Sequence, residues 1–235
     1  SPLDSASGTT GDGVFASVIP AETGSETATQ KKAKLRRFYN EPDIALLTVN
    51  TGKALVVNIG SGYRGHPLDT GAEDRFYSFR TPIIANNDSH TILTESAMYD
   101  ATLNLVQEGT ATQKAAAAAA FSSNTGGWYI RMENSGEKVL SEATTFAGQI
   151  FFSTYEPNSN SANNSCKAVQ GTGRSYAVNL FDATPPIQRI KGSPDRSDRS
   201  IILNTAGIPP KDVLLFGEDR DKPTKCTGTE CEDLD

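Results

Sequence analysis

Residues 43–59, DIALLTVNTGKALVVNI, contain two runs of aliphatic and β-branched residues on either side of a short polar segment. Both runs have the length and composition of strands, and Asn50-Thr51-Gly52-Lys53 between them has the composition of a tight turn. The stretch therefore predicts a β-hairpin, with strands at Ile44–Val49 and Ala54–Ile59.

Further strand-like segments follow, separated by residues that favour turns. They are expected at 75–79, 128–132, 138–140, 149–155, 175–181, 200–203 and 213–216. Many short strands separated by turn signals are typical of a sandwich, barrel or propeller, and not of alternating β and α units. The sequence therefore predicts a mainly β fold.

One interval, residues 94–122, has helical character instead. Thr94 could cap a helix in which Ala97, Ala101 and Leu105 share a face, and six consecutive alanines follow at 115–120. Alanine has the highest helix propensity of all residues. We expect short helices inserted into the β framework over about residues 94–122.

The charge balance excludes two classes of partner. The chain has 22 Lys and Arg against 28 Asp and Glu, a net charge of -6, so it does not attract nucleic acid or an anionic bilayer as a whole. No stretch approaches the roughly 20 apolar residues that span a bilayer. A local basic run remains, which is expected to be a solvated strand edge, with a binding patch as the alternative: Lys31, Lys32, Lys34, Arg36 and Arg37.

Cys226 and Cys231 enclose a short polar segment, residues 227–230, that can close into a small disulfide ring. Free thiols are the alternative, whereas zinc lacks further ligands with suitable spacing. A disulfide favours an oxidising compartment. Cys166 is then left over and could pair with a segment outside this sequence.

The sequence GSGYRG at 60–65 matches the dinucleotide-binding pattern G-x-G-x-x-G directly after a predicted strand. That site needs a helix to start within the motif, and Pro67 with Gly71 opposes one. A glycine-rich strand exit is the better interpretation. We therefore predict no cofactor site here.

Catalytic and metal-binding patterns are incomplete. Hydrolysis by a nucleophile needs an adjacent base, and His66 and His90, the only imidazoles, lack a suitable context. Asp219 and Asp221 start a calcium-loop pattern that Lys222 and Pro223 break. Other carboxylate pairs are scattered, and Trp128 is expected to be a buried or half-buried strand residue. We predict no catalytic residue and no metal ligand.

Four blocks, in this order, together resemble a known family. They are LRRFYNEPD (35–43); IGSGYRGHPL (59–68) with RFY (75–77); LT (93–94) with MYDAT (98–102); and GWYI (127–130) with SGEKVL (135–140), FFSTYEP (151–157) and Cys166. The blocks are similar to the C-terminal propeller region of the PilY family, type IV pilus biogenesis factors and tip adhesins that include the neisserial PilC proteins. The resemblance covers roughly residues 35–182.

The resemblance implies a partial or irregular β-propeller that is not an enzyme and that promotes pilus extension, twitching motility and surface attachment. It implies pilus subunits or minor pilins and a host or abiotic surface as partners. The expected location is the pilus tip, the cell surface, or the outer membrane or periplasm of a Gram-negative bacterium. Family members carry an acidic calcium loop that has no counterpart in this sequence, so calcium is expected only in a full-length member.

The chain is accordingly divided into three regions. Residues 1–30 are interpreted as a linker or loop-rich lead-in, 31–220 as the propeller-like domain, and 221–235 as a C-terminal tail with a cysteine loop. The last ten residues are expected to be mobile apart from that loop. Two other functions remain open. A propeller-based enzyme, quinoprotein or glycan-acting, would show convergent carboxylates or a metal, and a carbohydrate-binding module would show exposed aromatic residues on one face.

Overall fold

The computed structural model describes residues 16–18, 24–49, 52–82, 92–123, 126–157, 170–186, 195–217 and 223–234. Its strands are β1 (Ala16–Ser17), β2 (Asp43–Val49), β3 (Gly52–Gly60), β4 (Arg75–Pro82), β5 (Leu93–Thr94), β6 (Tyr99–Asp100), β7 (Gly127–Arg131), β8 (Lys138–Val139), β9 (Thr144–Phe146), β10 (Gln149–Glu156), β11 (Thr172–Asn179), β12 (Ser200–Ile202), β13 (Asp212–Leu215), β14 (Thr224–Thr227) and β15 (Glu230–Asp233). Its helices are α1 (Ala28–Ala33), α2 (Leu105–Glu108) and α3 (Ala111–Ser123), with 3-10 helices at Glu95–Ala97 and Arg196–Arg199.

Sheet I is five-stranded and contains the predicted hairpin. Its order is β2-β3-β4-β7-β6, antiparallel except for the pair β6 and β7. The hairpin register places Ile44 opposite Val57. The hairpin prediction is therefore confirmed.

Sheets II and III follow along the chain. Sheet II has the order β12-β11-β10-β8, with β9 also paired to β10, and sheet III has the order β13-β14-β15. A separate parallel pair joins β1 to β5.

The three sheets are stacked through two apolar layers. Between sheets I and II, the ring of Phe76 stacks on that of Phe152 with centroids 3.9 Å apart, inside a buried cluster that also contains Trp128 and Val178. Between sheets II and III, Phe151 packs with Leu234. Successive residues of a strand face opposite sides of a sheet, so Phe151 and Phe152 serve the two layers.

Sheets stacked face to face are the arrangement of neighbouring propeller blades. The described strands do not close into a barrel. The fold is mainly β, a partial or irregular propeller with few short helices, and the predicted fold class is confirmed.

Two local predictions are wrong. The segment that starts at Thr94 is not a regular helix, because a 3-10 turn without a Thr94 side-chain cap leads into β6. The short helices expected within residues 94–122 are present further along, as α2 and α3. The C-terminal residues expected to be mobile form the β14–β15 hairpin, which Leu234 anchors to sheet II.

Within the described segments, no helix is long and apolar enough to cross a membrane.

Candidate functional site

The glycine loop, residues 60–71, leads from the end of β3 towards β4. A Cβ on Gly60 would lie 2.3 Å from the Cβ of Val139, and one on Gly62 would lie 2.4 Å from the Val139 carbonyl oxygen. The backbone after Gly60 consists of turns and irregular segments. A dinucleotide-binding fold would have a helix at this point. The two glycines therefore allow β8 to pack closely against this strand exit.

The start of the glycine loop is fixed by Ser61. Its buried hydroxyl donates a 2.8 Å hydrogen bond to Oδ1 of Asp74 and accepts a 2.9 Å hydrogen bond from the Arg75 amide. Burial raises the pKa of Asp74 above its usual value of 3.8, although Ser61 and the charge of Lys138 act in the opposite direction. A buried polar pair thus ties the loop to β4.

The end of the glycine loop is fixed by Lys138 of β8, whose side chain is buried. Its Nζ donates hydrogen bonds to the carbonyl oxygens of Pro67 (3.1 Å), Asp69 (2.7 Å) and Gly136 (2.5 Å). Three acceptors satisfy the three donors of an ammonium group. Burial lowers the pKa of Lys138, and the nearby carboxylates of Asp74 and Asp69 partly oppose that effect. The loop is therefore held as a rigid element.

Two residues of this loop, Tyr63 and His66, form an aromatic surface together with Arg37 and Tyr39 from the segment before β2. The rings of Tyr39 and Tyr63 are stacked, with centroids 5.7 Å apart and an interplanar angle of 15°. The Arg37 guanidinium lies 4.2 Å from the centre of the Tyr63 ring, and His66 lies 5.0 Å from it. Tyr39 is 55% exposed. Sequence blocks 35–43 and 59–68 therefore meet in one solvent-accessible surface.

The basic run that includes Arg37 is not a strand edge, which corrects the sequence-based expectation. Lys31 and Lys32 lie in α1, and the residues from Lys34 to Arg37 have irregular backbone. Arg36 is buried and donates a 3.1 Å hydrogen bond to the Tyr77 hydroxyl. This bond ties the segment before β2 to β4. Lys32 also forms an ion pair with Asp69 of the glycine loop, at 2.7 Å, and Lys34 forms one with Glu26.

The candidate catalytic groups do not converge. His66 is exposed and contacts Tyr63, while His90, Cys166 and the carboxylates Glu218, Asp219 and Asp221 lie outside the described residues. Asp195 and Asp198 cap the 3-10 helix Arg196–Arg199. In the described part of the chain, no cluster of three or more His, Cys, Asp or Glu could hold a metal.

One buried network does contain a serine beside a lysine. Nζ of Lys225 lies 2.8 Å from Oγ of Ser175, and Asp212 accepts hydrogen bonds from Ser175 and Thr227. Ser175 and Lys225 are each 1% exposed. A nucleophile must be reached by its substrate, and this one lies between two packed sheets. The network therefore docks sheet III on sheet II, with Glu232 2.6 Å from Lys225.

The cysteine loop forms the turn of the C-terminal hairpin. Cys226 and Cys231 lie opposite each other in β14 and β15, with their Sγ atoms 2.07 Å apart in a disulfide.

Trp128, expected in or near the core, is fully buried and donates a 3.1 Å hydrogen bond to the Leu180 carbonyl oxygen. The prediction for Trp128 is confirmed.

Sequence reasoning missed Lys138 and Tyr63 as organisers of the site. Both stand in the blocks that carry the family resemblance, but most of their contact partners are far away in sequence, such as Pro67 for Lys138 and Tyr39 for Tyr63. An isolated lysine in a strand ordinarily indicates an exposed side chain. The proximity of Tyr39 to the basic run was the only available signal.

Three stacked sheets of short strands define the class of the chain, a partial or irregular propeller. No family model and no curated relative matches it. Among solved structures it is similar to the crystal structure of the Pseudomonas aeruginosa PilY1 C-terminal domain, with a TM-score of 0.54 and 12% sequence identity. The match covers 83% of this chain and 44% of that one, so the chain spans less than half of the solved protein. At this identity the likeness shows a common fold.

Proposed function

We propose that this chain is a non-enzymatic binding module of a type IV pilus system, acting in pilus biogenesis and in attachment at the pilus tip. The observation that carries the proposal is the fold likeness to the PilY1 C-terminal domain over 83% of the chain. The four sequence blocks that resemble the pilus family support it independently. The partners would be pilus subunits or minor pilins, together with a host or abiotic surface.

The aromatic surface is the proposed contact region. Binding residues are often found on loops that a rigid scaffold holds in place, and Lys138 and Ser61 hold this loop at both ends. Exposed tyrosine contributes both an apolar ring and a hydroxyl to an interface. The surface therefore needs no large rearrangement to bind a partner.

Deletion of the full-length gene in the source bacterium tests the pilus assignment. Surface pili, twitching motility and attachment are scored in the wild type and in a strain in which retraction is disabled. Loss of pili that return when retraction is disabled supports a role in stabilising extended pili. Normal pili, motility and attachment in the deletion strain would overturn the proposal.

Point variants in the full-length protein then test the aromatic surface. Tyr39→Ala is expected to reduce attachment while pilus number stays normal. Phe216→Ala is the matched control. Phe216 is 52% exposed, directly follows β13 and packs against Phe146, away from the aromatic surface. Equal attachment by both variants would mean that the aromatic surface is not the region that binds the partner.

A second candidate function, carbohydrate binding, is favoured by the stacked pair Tyr39 and Tyr63. Aromatic rings offer flat apolar faces against which sugar rings can lie, and Tyr39 is mostly exposed. Binding of the purified chain to an immobilised saccharide series tests it. Binding that Tyr39→Ala abolishes and Tyr39→Trp retains would support this function.

A further inference from the structure

Four arginines converge on one small cavity that lies apart from the aromatic surface. The cavity has a volume of about 210 Å³ and is lined by Arg131 at the end of β7, Arg174 of β11, and Arg196 and Arg199 of the 3-10 helix. Thr102, Tyr176, Ser197 and Ser200 are among its other lining residues. Three separate chain segments therefore bring positive charge to the same place.

The cavity lining carries more positive than negative charge. Among the described residues that line it, the one acidic member is Glu133, which lies 3.1 Å from Nη1 of Arg196. Two further carboxylates pair with the arginines from outside the lining: Asp100 with Arg131 at 2.9 Å, and Glu156 with Arg174 at 3.2 Å. Each guanidinium has five N–H donors, so these ion pairs leave donors for a ligand, even though Nη1 of Arg196 lies close to both carboxylate oxygens of Glu133.

Arg199 differs from the other three arginines. It is 3% exposed, and its Nη atoms donate to the backbone oxygens of Thr102 (3.0 Å) and Ala101 (2.9 Å). Among the described residues, no carboxylate forms an ion pair with Arg199, although Glu108 acts on it at longer range. Burial lowers the pKa of Arg199 to about 10, so it stays charged at neutral pH. A buried cation without a close counter-ion is stabilised by any anion that enters beside it.

We propose that this cavity binds a small oxyanion group, such as a sulfate, either free or carried by a larger ligand. The planar fork of a guanidinium matches the oxygens of such a group and binds them through charge-assisted hydrogen bonds. A second cavity of about 420 Å³ shares Thr102, Arg131, Glu133 and Asn134 with the first. It offers room for the remainder of a larger ligand.

Glu133 is the residue that an incoming anion must compete with. Its side chain is 52% exposed and that of Arg196 is 41% exposed, and exposed ion pairs of this kind are weak. The pair can therefore open at little cost. Removing the Glu133 charge should improve anion binding, whereas removing arginine charges should weaken it.

The test measures binding of two probes, sodium sulfate and a sulfated disaccharide, by the purified full chain. Sodium chloride is reduced as each probe is added, so that the ionic strength stays constant. Isothermal titration gives the dissociation constant, and a thermal shift gives a second readout. The variant Arg131→Gln/Arg196→Gln removes two exposed cavity charges. The control Lys114→Gln/Lys211→Gln removes two exposed charges that do not line either cavity.

We expect sulfate to bind the wild type and the control equally, and the arginine variant at least about tenfold more weakly. Glu133→Gln is expected to bind about two- to fivefold more tightly. Tighter binding of the disaccharide than of sulfate would identify a group carried on a sugar. Absence of binding by both probes, or equal binding by the arginine variant and the control, would overturn the proposal.

Discussion

The ring of Tyr39 lies stacked on the ring of Tyr63, at a centroid distance of 5.7 Å. An exposed aromatic pair of this kind contributes about 0.5–1 kcal/mol beyond its buried area. In a double-mutant cycle with Tyr39→Ala and Tyr63→Ala, we expect a coupling free energy of that size. Urea unfolding of the four proteins measures it, and a coupling near zero would show that the rings do not stack in solution.

Tyr63→Ala alone is expected to destabilise the chain more than Tyr39→Ala. Tyr63 is half-buried and also contacts Arg37 and His66, whereas Tyr39 is mostly exposed. Loss of more contacts costs more free energy of unfolding, here about 1–2 kcal/mol for Tyr63. If Tyr39→Ala lost more free energy of unfolding than Tyr63→Ala, Tyr63 would not be the residue that holds the aromatic surface together.

Gly62→Ala is expected to lower the free energy of unfolding by about 1–3 kcal/mol, because the added Cβ overpacks the contact with β8. That Cβ would lie 2.4 Å from the carbonyl oxygen of Val139, a backbone atom that cannot move alone. Gly217→Ala is the matched control, since nothing lies within 4 Å of its Cβ position. Urea midpoints compare the two variants, and equal midpoints would contradict the close approach.

Lys138→Met is expected to destabilise the chain by about 3 kcal/mol, since it leaves one buried and two partly buried carbonyl oxygens without their donor. The affected acceptors include those of Pro67 and Asp69, so the glycine loop should also become more open to proteolysis. Lys211→Met, at an exposed position, is the control and should stay within about 0.5 kcal/mol of the wild type. Full stability of Lys138→Met would mean that Lys138 does not hold the loop.

The strands were largely predictable from sequence because the apolar pattern of each one is local. The hairpin of β2 and β3 follows from two aliphatic runs around a turn, and Phe151 next to Phe152 suggests a strand buried on both faces. The pairing of Phe152 with Phe76 was not predictable. The two rings come from different sheets, and nothing in the sequence around either residue specifies the other.

The site was less predictable than the fold for the same reason. Lys138 reaches the Pro67 carbonyl oxygen across 71 residues of chain. The helix expected from Thr94 failed because Tyr99 and Asp100 pair with β7 as a short parallel strand, a tertiary contact that outweighs local helical spacing. Burial decided the rest, since charged residues such as Lys225 were not recognisable as interior ones.

The disulfide between Cys226 and Cys231 is expected to stabilise the C-terminal hairpin rather than the whole chain. In the chain-entropy description, closing so small a ring contributes about 2 kcal/mol. Cys226→Ser/Cys231→Ser should therefore increase amide hydrogen exchange in β14 and β15 while β3 and β4 stay protected. Mass spectrometry of the C-terminal peptide before and after reduction checks the bond, and free thiols in the unreduced protein would contradict it.

The buried carboxyl group of Asp74 should make stability depend on pH. Burial raises its pKa in the folded state above the usual value of 3.8, so the folded chain binds this proton more tightly than the unfolded chain does. The resulting stabilisation is complete below the unfolded pKa and is lost as pH rises through the folded pKa. The free energy of unfolding of the wild type minus that of Asp74→Asn should therefore fall as pH rises above about 4 and then become constant.

Ser61→Ala provides the matched test of that pH dependence. The Ser61 hydroxyl donates to Asp74 and lowers its pKa, so its removal should raise the folded pKa further and extend the fall to higher pH. Urea unfolding of the wild type, Ser61→Ala and Asp74→Asn across the acidic and neutral range measures all three curves. A difference between wild type and Asp74→Asn that grows with pH would mean that the hydroxyl and the nearby cations outweigh burial at Asp74.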